Sequence, residues 1–261
     1  MANAATLAYE VYEGFQSKKE TVIAALDLED AYNRVSYVRL ITLLLEDGID
    51  QWLVRWIAVV LLSRKVALRC GTWVSSPHEI TPGLPQGSPI SSVMFNVYTA
   101  QIARIQGQGP GRTLTFADDI LTYQHGSDRE TMARNLQGCL EEMTAWCDEN
   151  NAVINPAKAK VLWCGMDNNI VNDEVPALEC SGEVVERDHE LRYLGVVFDR
   201  SLSFNRHVDS IAQKAKKGVA AIKVMANADT QQKILVLLVQ MLVLSVMDYG
   251  LGLLTLSQTQ I

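Results

Sequence analysis

Two adjacent carboxylates, Asp118 and Asp119, interrupt the otherwise apolar stretch of residues 114–121. The flanking residues favour β-strands, so the pair is expected at the tip of a buried hairpin. Like charges this close repel strongly where water is scarce, and a divalent cation bound by carboxylate oxygens is the usual compensation. A simpler alternative is a type I turn in which aspartate only favours the bend.

Composition indicates a globular protein and leaves nucleic-acid binding open. Hydrophobic residues make up 48% and charged residues 20% of the 261 positions, which is typical of a chain with a sizeable core. The net charge is −7, but the segment from Asn205 onward carries +3 and the preceding 204 residues carry −10. Because a local basic stripe is what contacts phosphate, the total charge neither supports nor excludes a nucleic-acid partner.

The cysteine spacing and the N-terminal sequence indicate the type of cellular compartment. The five cysteines form no Cys-x-x-Cys pair, which favours a reducing compartment and argues against a zinc knuckle. No basic segment precedes an apolar one at the N-terminus, so secretion is not indicated.

Hydrophobic periodicity predicts mixed strands and helices without regular βαβ alternation. Strands are predicted at residues 22–26, 65–69, 73–74, 161–163 and 193–198, with a hairpin turning near Gly71. Helices are predicted at residues 40–48, 52–62, 88–105 and 128–150. The third of these helices is expected to start at an N-cap, Ser88, with Pro89 in its first turn.

The last part of the chain is predicted to be helical. One apolar face is expected to comprise Val208, Ile211, Ala215, Val219 and Ile222. Residues 234–247 are nearly all apolar and predict a buried helix, since their length of about 21 Å is short of the roughly 30 Å hydrocarbon core. A membrane span is the less favoured alternative. These patterns predict an α+β domain followed by a helical one, with the change near Phe204.

Three segments contain candidate catalytic residues. In chain order they are residues 26–35, residues 83–96 and residues 116–119. Asp27 ends a predicted strand 91 residues before Asp118, so two adjacent strands can bring three carboxylates together. Such a set can hold two divalent ions, which stabilise the attacking and leaving oxygens of an in-line phosphoryl displacement.

These segments resemble the motifs of the reverse transcriptase family, in particular the polymerases of non-LTR, jockey-like retrotransposons. Residues 153–158 resemble the family's Asn-x-x-Lys segment, and residues 191–199 resemble its primer-grip hairpin. The resemblance covers nearly the whole chain from about Glu13. It implies an α+β fold: a polymerase palm, with an antiparallel sheet and packed helices, at residues 1–204, and a helical thumb at residues 205–261.

The implied activity is that of an RNA-directed DNA polymerase that adds deoxynucleotides to a primer 3′ end on an RNA template. By this resemblance, Asp27, Asp118 and Asp119 match the metal-binding aspartates, and the backbone carbonyl of Leu28 is a further ligand. The implied cofactor is Mg²⁺, as two ions, with Mn²⁺ as a substitute. The implied partners are an RNA template, a DNA primer and deoxynucleotide triphosphates, with no membrane. The element class implies an intracellular ribonucleoprotein, nuclear or cytoplasmic.

Four residues match the family's nucleotide-binding positions. Tyr32 matches the aromatic ring that excludes the nucleotide 2′-hydroxyl, with a core aromatic as the alternative. Gln86 and Gly87 match the loop that approaches the nucleotide and template, with an ordinary helix cap as the alternative. Lys158 matches a lysine near the leaving pyrophosphate, with a solvated surface lysine as the alternative.

Four lysines match the part of the thumb that holds the primer–template duplex, and a solvated helix face is the alternative. They are Lys214, Lys216, Lys217 and Lys223.

The chain departs from the family pattern at Asn33 and Ala159, where aspartate and threonine or serine are common. Only 26 residues precede Asp27, which is too few for the complete fingers subdomain of such polymerases, and no endonuclease region is present. These features predict a truncated chain, with a remnant of the fingers, that binds primer–template weakly and barely extends it.

Two alternative functions remain open. The first is an inactive retrotransposon relic or nucleic-acid-binding fragment. The second is an RNA-dependent RNA polymerase, against which Tyr32 and Ala117 argue.

Overall fold

The computed structural model describes residues 2–62, 64–79, 83–166, 175–228, 230–250 and 252–253. The helices are α1 (Ala2–Gln16), α2 (Ala31–Arg34), α3 (Tyr37–Glu46), α4 (Gln51–Leu62), α5 (Pro89–Thr99), α6 (Arg129–Glu149), α7 (Asn205–Ala226), α8 (Gln232–Val239) and α9 (Ser245–Asp248). The strands are β1 (Glu20–Asp27), β2 (Lys65–Val66), β3 (Arg69–Cys70), β4 (Trp73–Val74), β5 (His78–Glu79), β6 (Gly111–Phe116), β7 (Asp119–Gly126), β8 (Lys160–Cys164), β9 (Glu179–Cys180), β10 (Glu183–Val184), β11 (Glu186–Asp188), β12 (Glu190–Tyr193) and β13 (Val196–Asp199).

A five-stranded sheet in the order β11-β8-β1-β7-β6 forms the centre of the fold. Its strands pair antiparallel, as predicted, except for the parallel pair of β8 and β11. The α+β fold class is confirmed, because helices pack on a mainly antiparallel sheet and a helical segment follows it. Short hairpins, including β3–β4 around Gly71, lie outside this sheet.

Both faces of β1 are covered, which explains its unbroken run of apolar residues. Val22 and Ala24 point to a core formed with α3, α4, α5 and α6. Ile23 points to the opposite core, formed with α1, β7 and the β12–β13 hairpin. Because successive side chains on a strand face opposite sides, this central strand is held firmly in register.

The predicted helix at residues 128–150 is confirmed as α6. Asp128 is its N-cap, and the side chain accepts a hydrogen bond from Thr131 N at 3.1 Å. Its apolar stripe is buried, as the periodicity predicts, at Met132, Leu136, Leu140, Met143, Trp146 and Cys147.

The predicted helix at residues 88–105 is too long. The helix α5 ends at Thr99, and a separate 3₁₀ turn, Ile102–Arg104, follows it. Ile102 is fully buried, so its spacing resembles a continued helical stripe although the backbone has changed. The Ser88 side chain also makes no capping hydrogen bond.

The apolar face predicted for the C-terminal helix is partly wrong. Val208 and Val219 are exposed on α7, whereas His207 and Ile222 are buried. At Gly218, an added Cβ would lie 2.8 Å from the Leu242 carbonyl oxygen, so the absence of a side chain lets the two helical segments approach closely.

Residues 234–247 are helical, but the prediction of a buried helix is wrong. The segment is divided into α8, a π-helical turn (Gln240–Leu244) and α9. Within residues 234–247, all of which are described, Val243 is the one buried side chain. A helix that is apolar all round buries only the stripe that contacts a neighbour, and this segment packs mainly against α7. None of the described helices is long and apolar enough to cross a membrane.

Candidate active site

The pairing of β1 with β7 brings two of the predicted carboxylates face to face. Asp27 ends β1 and lies directly opposite Asp119, which begins β7. Directly opposite residues of an antiparallel pair have Cα atoms about 4.5–5.5 Å apart. The backbone of Asp118 is adjacent, because Leu28 N donates a hydrogen bond to the Asp118 carbonyl oxygen at 3.2 Å. The structure therefore brings Asp27, Asp118 and Asp119 together where β1 ends and β7 begins, at one edge of the sheet across the strand ends.

A strained two-residue turn presents the Asp118–Asp119 pair. Phe116 pairs with Asp119, and Ala117, the first turn residue, has φ of +52°. Type I turns have negative φ at both central residues, so the simpler interpretation of the motif as a type I turn is wrong. A left-handed alanine costs about 1–2 kcal/mol, and such strain clusters at functional sites.

The turn itself is more exposed than the sequence predicts. Asp118 is exposed, Asp119 is half-buried, and the Phe116 side chain is 57% exposed. Only the strands behind the turn are buried. The carboxylates therefore lie at an accessible edge of the sheet rather than inside the core.

The local electrostatics disfavour a charged Asp119. Burial raises the pKa of this carboxyl, and the nearby Asp118 and Asp27 carboxylates raise the pKa further. Lys158 acts in the opposite direction and lowers the pKa of Asp119. A cation bound at this edge would relieve the accumulated negative charge.

Because the charged form of Asp119 is disfavoured, we expect Asp119→Asn to stabilise the fold in the absence of divalent metal. A carboxyl whose pKa is raised by folding loses its proton at a cost, so the wild type becomes less stable as pH rises from the ordinary pKa toward the folded one. We expect the variant to have the higher Tm at neutral pH, with the difference shrinking toward about pH 4. Thermal unfolding in EDTA measures this, with the exposed Asp209→Asn as control; equal Tm values at neutral pH would contradict it.

Lys158 lies against the same carboxylates. Its Nζ is 2.8 Å from Asp27 Oδ2, and this ion pair raises the pKa of Lys158. The backbone positions the residue: Asn155 N donates to the Asp27 carbonyl oxygen at 2.9 Å, and Ile154 forms a β-bridge with Leu28. The lysine thus lies beside Asp27 with a largely exposed side chain, and its role near the departing pyrophosphate stays a prediction.

Three of the four predicted nucleotide-binding residues meet around a cavity of about 380 Å³ that the fourth, Lys158, does not line. Tyr32 lines it together with Gln86 and Gly87. The Tyr32 ring stacks on Phe95, with ring centroids 4.8 Å apart and planes 9° from parallel. The ring is thus held rigidly at the cavity wall. Its role in selecting the sugar stays a prediction.

Gly83 fixes this loop against the segment that carries Tyr32. Leu84 N donates to the Tyr32 carbonyl oxygen at 2.8 Å, and Tyr37 Oη donates to the Gly83 carbonyl oxygen at 2.7 Å. Gly83 has φ of +71°, and an added Cβ would lie 2.3 Å from the Cα of Asn33. Both the conformation and the close approach therefore require glycine.

We expect Gly83→Ala to lower the free energy of unfolding by more than about 1 kcal/mol, because it combines a left-handed conformation with a backbone clash. Gly87→Ala is the matched control: its φ is +85°, but an added Cβ would have no atom within 4 Å. Urea unfolding of both variants measures the difference. A Gly83 variant as stable as the Gly87 variant would show that the close approach is unimportant.

A cleft of about 580 Å³ extends from the carboxylates to the β12–β13 hairpin and α7. Its basic lining residues, besides Lys158, are Lys160, Arg192 and Arg206. None of these three is predicted as a site residue from the sequence. The strand alternation at Arg192, which lies between buried Leu191 and Tyr193, was the available signal.

The four predicted thumb lysines lie elsewhere on α7. Lys214, Lys216, Lys217 and Lys223 are exposed, and none of them lines the cleft. The cleft is instead lined on this helix by Arg206, Asp209, Ser210 and Gln213. Lys217, four residues after Gln213, continues that face at helical spacing. The structure therefore does not bring the lysines to the carboxylates, and their role in binding nucleic acid stays a prediction.

The residue types at this site suit a hard divalent cation. The three carboxylates at this sheet edge supply oxygen ligands and concentrate negative charge, and the raised pKa of Asp119 reflects that charge. Among the described residues, however, no three His, Cys, Asp or Glu side chains converge closely enough to surround an ion. One Asp27 oxygen is bonded to Lys158 instead.

Comparison with known sequences agrees with this geometry. The family profile described as "Reverse transcriptase (RNA-dependent DNA polymerase)" matches residues 4–198. The chain is 28% identical over 205 residues to the RNA-directed DNA polymerase from mobile element jockey of Drosophila funebris, covering 76% of this chain and 22% of that protein. It is 24% identical over 218 residues to the probable RNA-directed DNA polymerase from transposon X-element of Drosophila melanogaster, covering 81% and 23%.

The predicted resemblance to jockey-like polymerases is confirmed by these relatives, of which the chain spans less than a quarter of the length. Among solved structures, telomerase from Candida tropicalis with the TWJ fragment of telomeric RNA has a TM-score of 0.53 at 9% identity, covering 78% of this chain and 32% of that one. Apo telomerase from the same organism, truncated from the C-terminal domain, has a TM-score of 0.52 at 10% identity, covering 78% and 39%. These likenesses show the fold, and the profile covers most of the sequence: the chain belongs to the reverse transcriptase (RNA-dependent DNA polymerase) family.

Proposed function

We propose that this chain is the palm (residues 1–204) and thumb (residues 205–261) of a retrotransposon RNA-directed DNA polymerase. The observation that carries the proposal is the placement of Asp27 opposite Asp119, with Asp118 in the adjoining turn. Two of these carboxylates, Asp27 and Asp119, line a cleft whose walls carry both basic and acidic side chains, and this arrangement suits the transfer of a nucleotide onto a primer 3′ end.

Asp27, Asp118 and Asp119 would hold two Mg²⁺ ions, with Mn²⁺ as a substitute and the Leu28 carbonyl as a further ligand. When bound, such ions stabilise charge on the attacking and leaving oxygens of the transferred phosphoryl group. The carboxylates supply the compensating charge, and the strand pairing holds Asp27 and Asp119 at fixed spacing. The paired strands limit backbone reorganisation at these two residues during the reaction.

Tyr32 would select deoxynucleotides. The ring is fixed by its stack on Phe95 at a cavity that Gln86 and Gly87 also line. A rigid aromatic wall would leave no room for a ribose 2′-hydroxyl, and Gly87 would allow the nucleotide to approach the backbone closely. Lys158 is near enough to the carboxylates to approach the departing pyrophosphate.

The basic cleft residues would contact the phosphates of an RNA template paired with a DNA primer. Lys160, Arg192 and Arg206 lie on its walls. Lys217 and the other three thumb lysines, Lys214, Lys216 and Lys223, would extend this contact along α7. Contacts of this type are independent of sequence and weaken with salt. Copying of an element RNA would place the protein in an intracellular ribonucleoprotein, nuclear or cytoplasmic.

A primer-extension assay on poly(rA)/oligo(dT) with Mg²⁺ tests the proposed function. It should be run with this chain and with any longer product of its gene, because the relatives are more than four times the length of their matched part. The proposal predicts template-dependent incorporation of dTTP by at least one of these forms, and little incorporation by this chain alone. Duplex binding without incorporation by any form would favour an inactive, nucleic-acid-binding protein. Preferential incorporation of ribonucleotides would favour an RNA polymerase, which the family profile does not support.

A further inference from the structure

Lys158 and a divalent cation would compete for the same oxygen. The Lys158 ammonium group is 2.8 Å from Asp27 Oδ2, and Asp27 is the carboxylate contributed by β1. Its charge also acts on Asp118 and Asp119. A carboxylate oxygen that accepts a hydrogen bond from an ammonium group at this distance has less of its charge available to a metal ion.

The backbone under Lys158 is fixed, but its side chain can move. The 3₁₀ turn Pro156–Lys158 is tied to β1 through the hydrogen bond from Asn155 N to the Asp27 carbonyl oxygen. The Lys158 side chain is 63% exposed, whereas that of Asp27 is 22% exposed. The ammonium group can therefore leave Asp27 without disturbing the strand.

The ion pair occupies one of the three carboxylates that a cation would require. Strand register places Asp27 opposite Asp119, yet among the described residues no three acidic, His or Cys side chains converge on one point. The Asp27 carboxylate interacts with Lys158 instead. Release of Lys158 would allow this carboxylate to join the other two.

We propose that Lys158 is a resident counter-ion of the carboxylate site, which competes with the divalent cation for Asp27 and is released toward the substrate phosphates when the cation binds. This inference rests on the proposed function. It couples two events: an ammonium group becomes available near the departing phosphates only after the carboxylates have acquired their cation. Before that, Lys158 reduces the repulsion among Asp27, Asp118 and Asp119.

The proposal predicts opposite effects of one substitution on binding and on rate. Lys158→Met should tighten Mn²⁺ binding about two- to fivefold, the range expected from removing one exposed ion pair. The same variant should slow single-turnover extension, because the ammonium group is then missing. A residue with a purely structural role would not tighten metal binding.

The test is titration of the protein with Mn²⁺ alone, without nucleotide or duplex, followed by the EPR signal of unbound Mn²⁺. Lys160→Met is the matched control, because Lys160 lies in the same cleft but pairs with Asp188 rather than Asp27. Its Mn²⁺ affinity should equal that of the wild type. Lys158→Arg should restore the competition, and Lys158→Gln should repeat the effect of methionine.

The outcomes separate this inference from the proposed function. Wild-type Mn²⁺ binding that is lost in Asp118→Ala supports the carboxylate site, and unchanged or weaker binding by Lys158→Met then overturns the counter-ion role alone. Equal tightening by Lys158→Met and Lys160→Met would also overturn it, because general charge would then explain the effect. If the folded wild type binds no Mn²⁺ at millimolar concentration, both the metal site and the counter-ion role are wrong.

Discussion

Replacement of Asp118 or Asp119 by alanine is expected to abolish primer extension by any active form of the protein while leaving it folded. Both residues lie at the edge of the sheet, and neither side chain belongs to the two apolar cores. Each substitution would remove one ligand from the cation site. The ions supply several kcal/mol of charge stabilisation, so the rate should fall by about 1000-fold or more.

Single-turnover extension, together with thermal unfolding, measures this effect. Asp209→Ala is the control, because it removes a carboxylate from the same cleft on α7 without touching the Asp27–Asp119 pair. That variant should retain extension. If either the Asp118 or the Asp119 variant extended primers at the wild-type rate, the assignment of that residue to the site would be wrong.

Replacing Tyr32 by valine should relax the choice of sugar. The tyrosine ring is fixed by Phe95 and forms part of the cavity shared with Gln86 and Gly87. Removing it opens volume for a ribose 2′-hydroxyl. Since about 1.4 kcal/mol of transition-state binding corresponds to a tenfold rate ratio, the preference for dNTP over rNTP should fall about tenfold or more.

The preference is measured as the ratio of kcat/KM for dTTP and UTP on the same primer–template. Tyr32→Phe is the matched control, because it retains the ring and its stack on Phe95 and loses only the hydroxyl group. Its ratio should stay at the wild-type value. An unchanged ratio in Tyr32→Val would mean that Tyr32 is a packing residue with no part in sugar selection.

The central part of the fold and its carboxylates could be predicted from the sequence, because local patterns determine them. An apolar run that ends in Asp27 predicts a central strand, and an Asp-Asp pair between two β-prone segments predicts a hairpin turn. The face of α6 was predicted for the same reason: one helix packs one stripe against one sheet.

The remaining features depend on tertiary contacts that have no local signature. The exposure of residues 234–247 depends on how many neighbours surround the helix, which apolar composition does not specify. Arg192 and Arg206 reach the cleft because the β12–β13 hairpin and α7 fold back toward β1. The hydrogen bond from Lys158 to Asp27 joins residues 131 positions apart, and local sequence does not show which carboxylate a given lysine meets.

The most direct test of the carboxylate site is an anomalous-scattering map of crystals grown with Mn²⁺. Our account predicts a manganese peak bounded by Asp27, Asp118 and Asp119, with Lys158 displaced from Asp27. Crystals of Asp118→Ala grown in the same way should lose or weaken that peak. A wild-type map with no manganese at the end of β1, or with Lys158 still bonded to Asp27 beside a bound ion, would contradict the account.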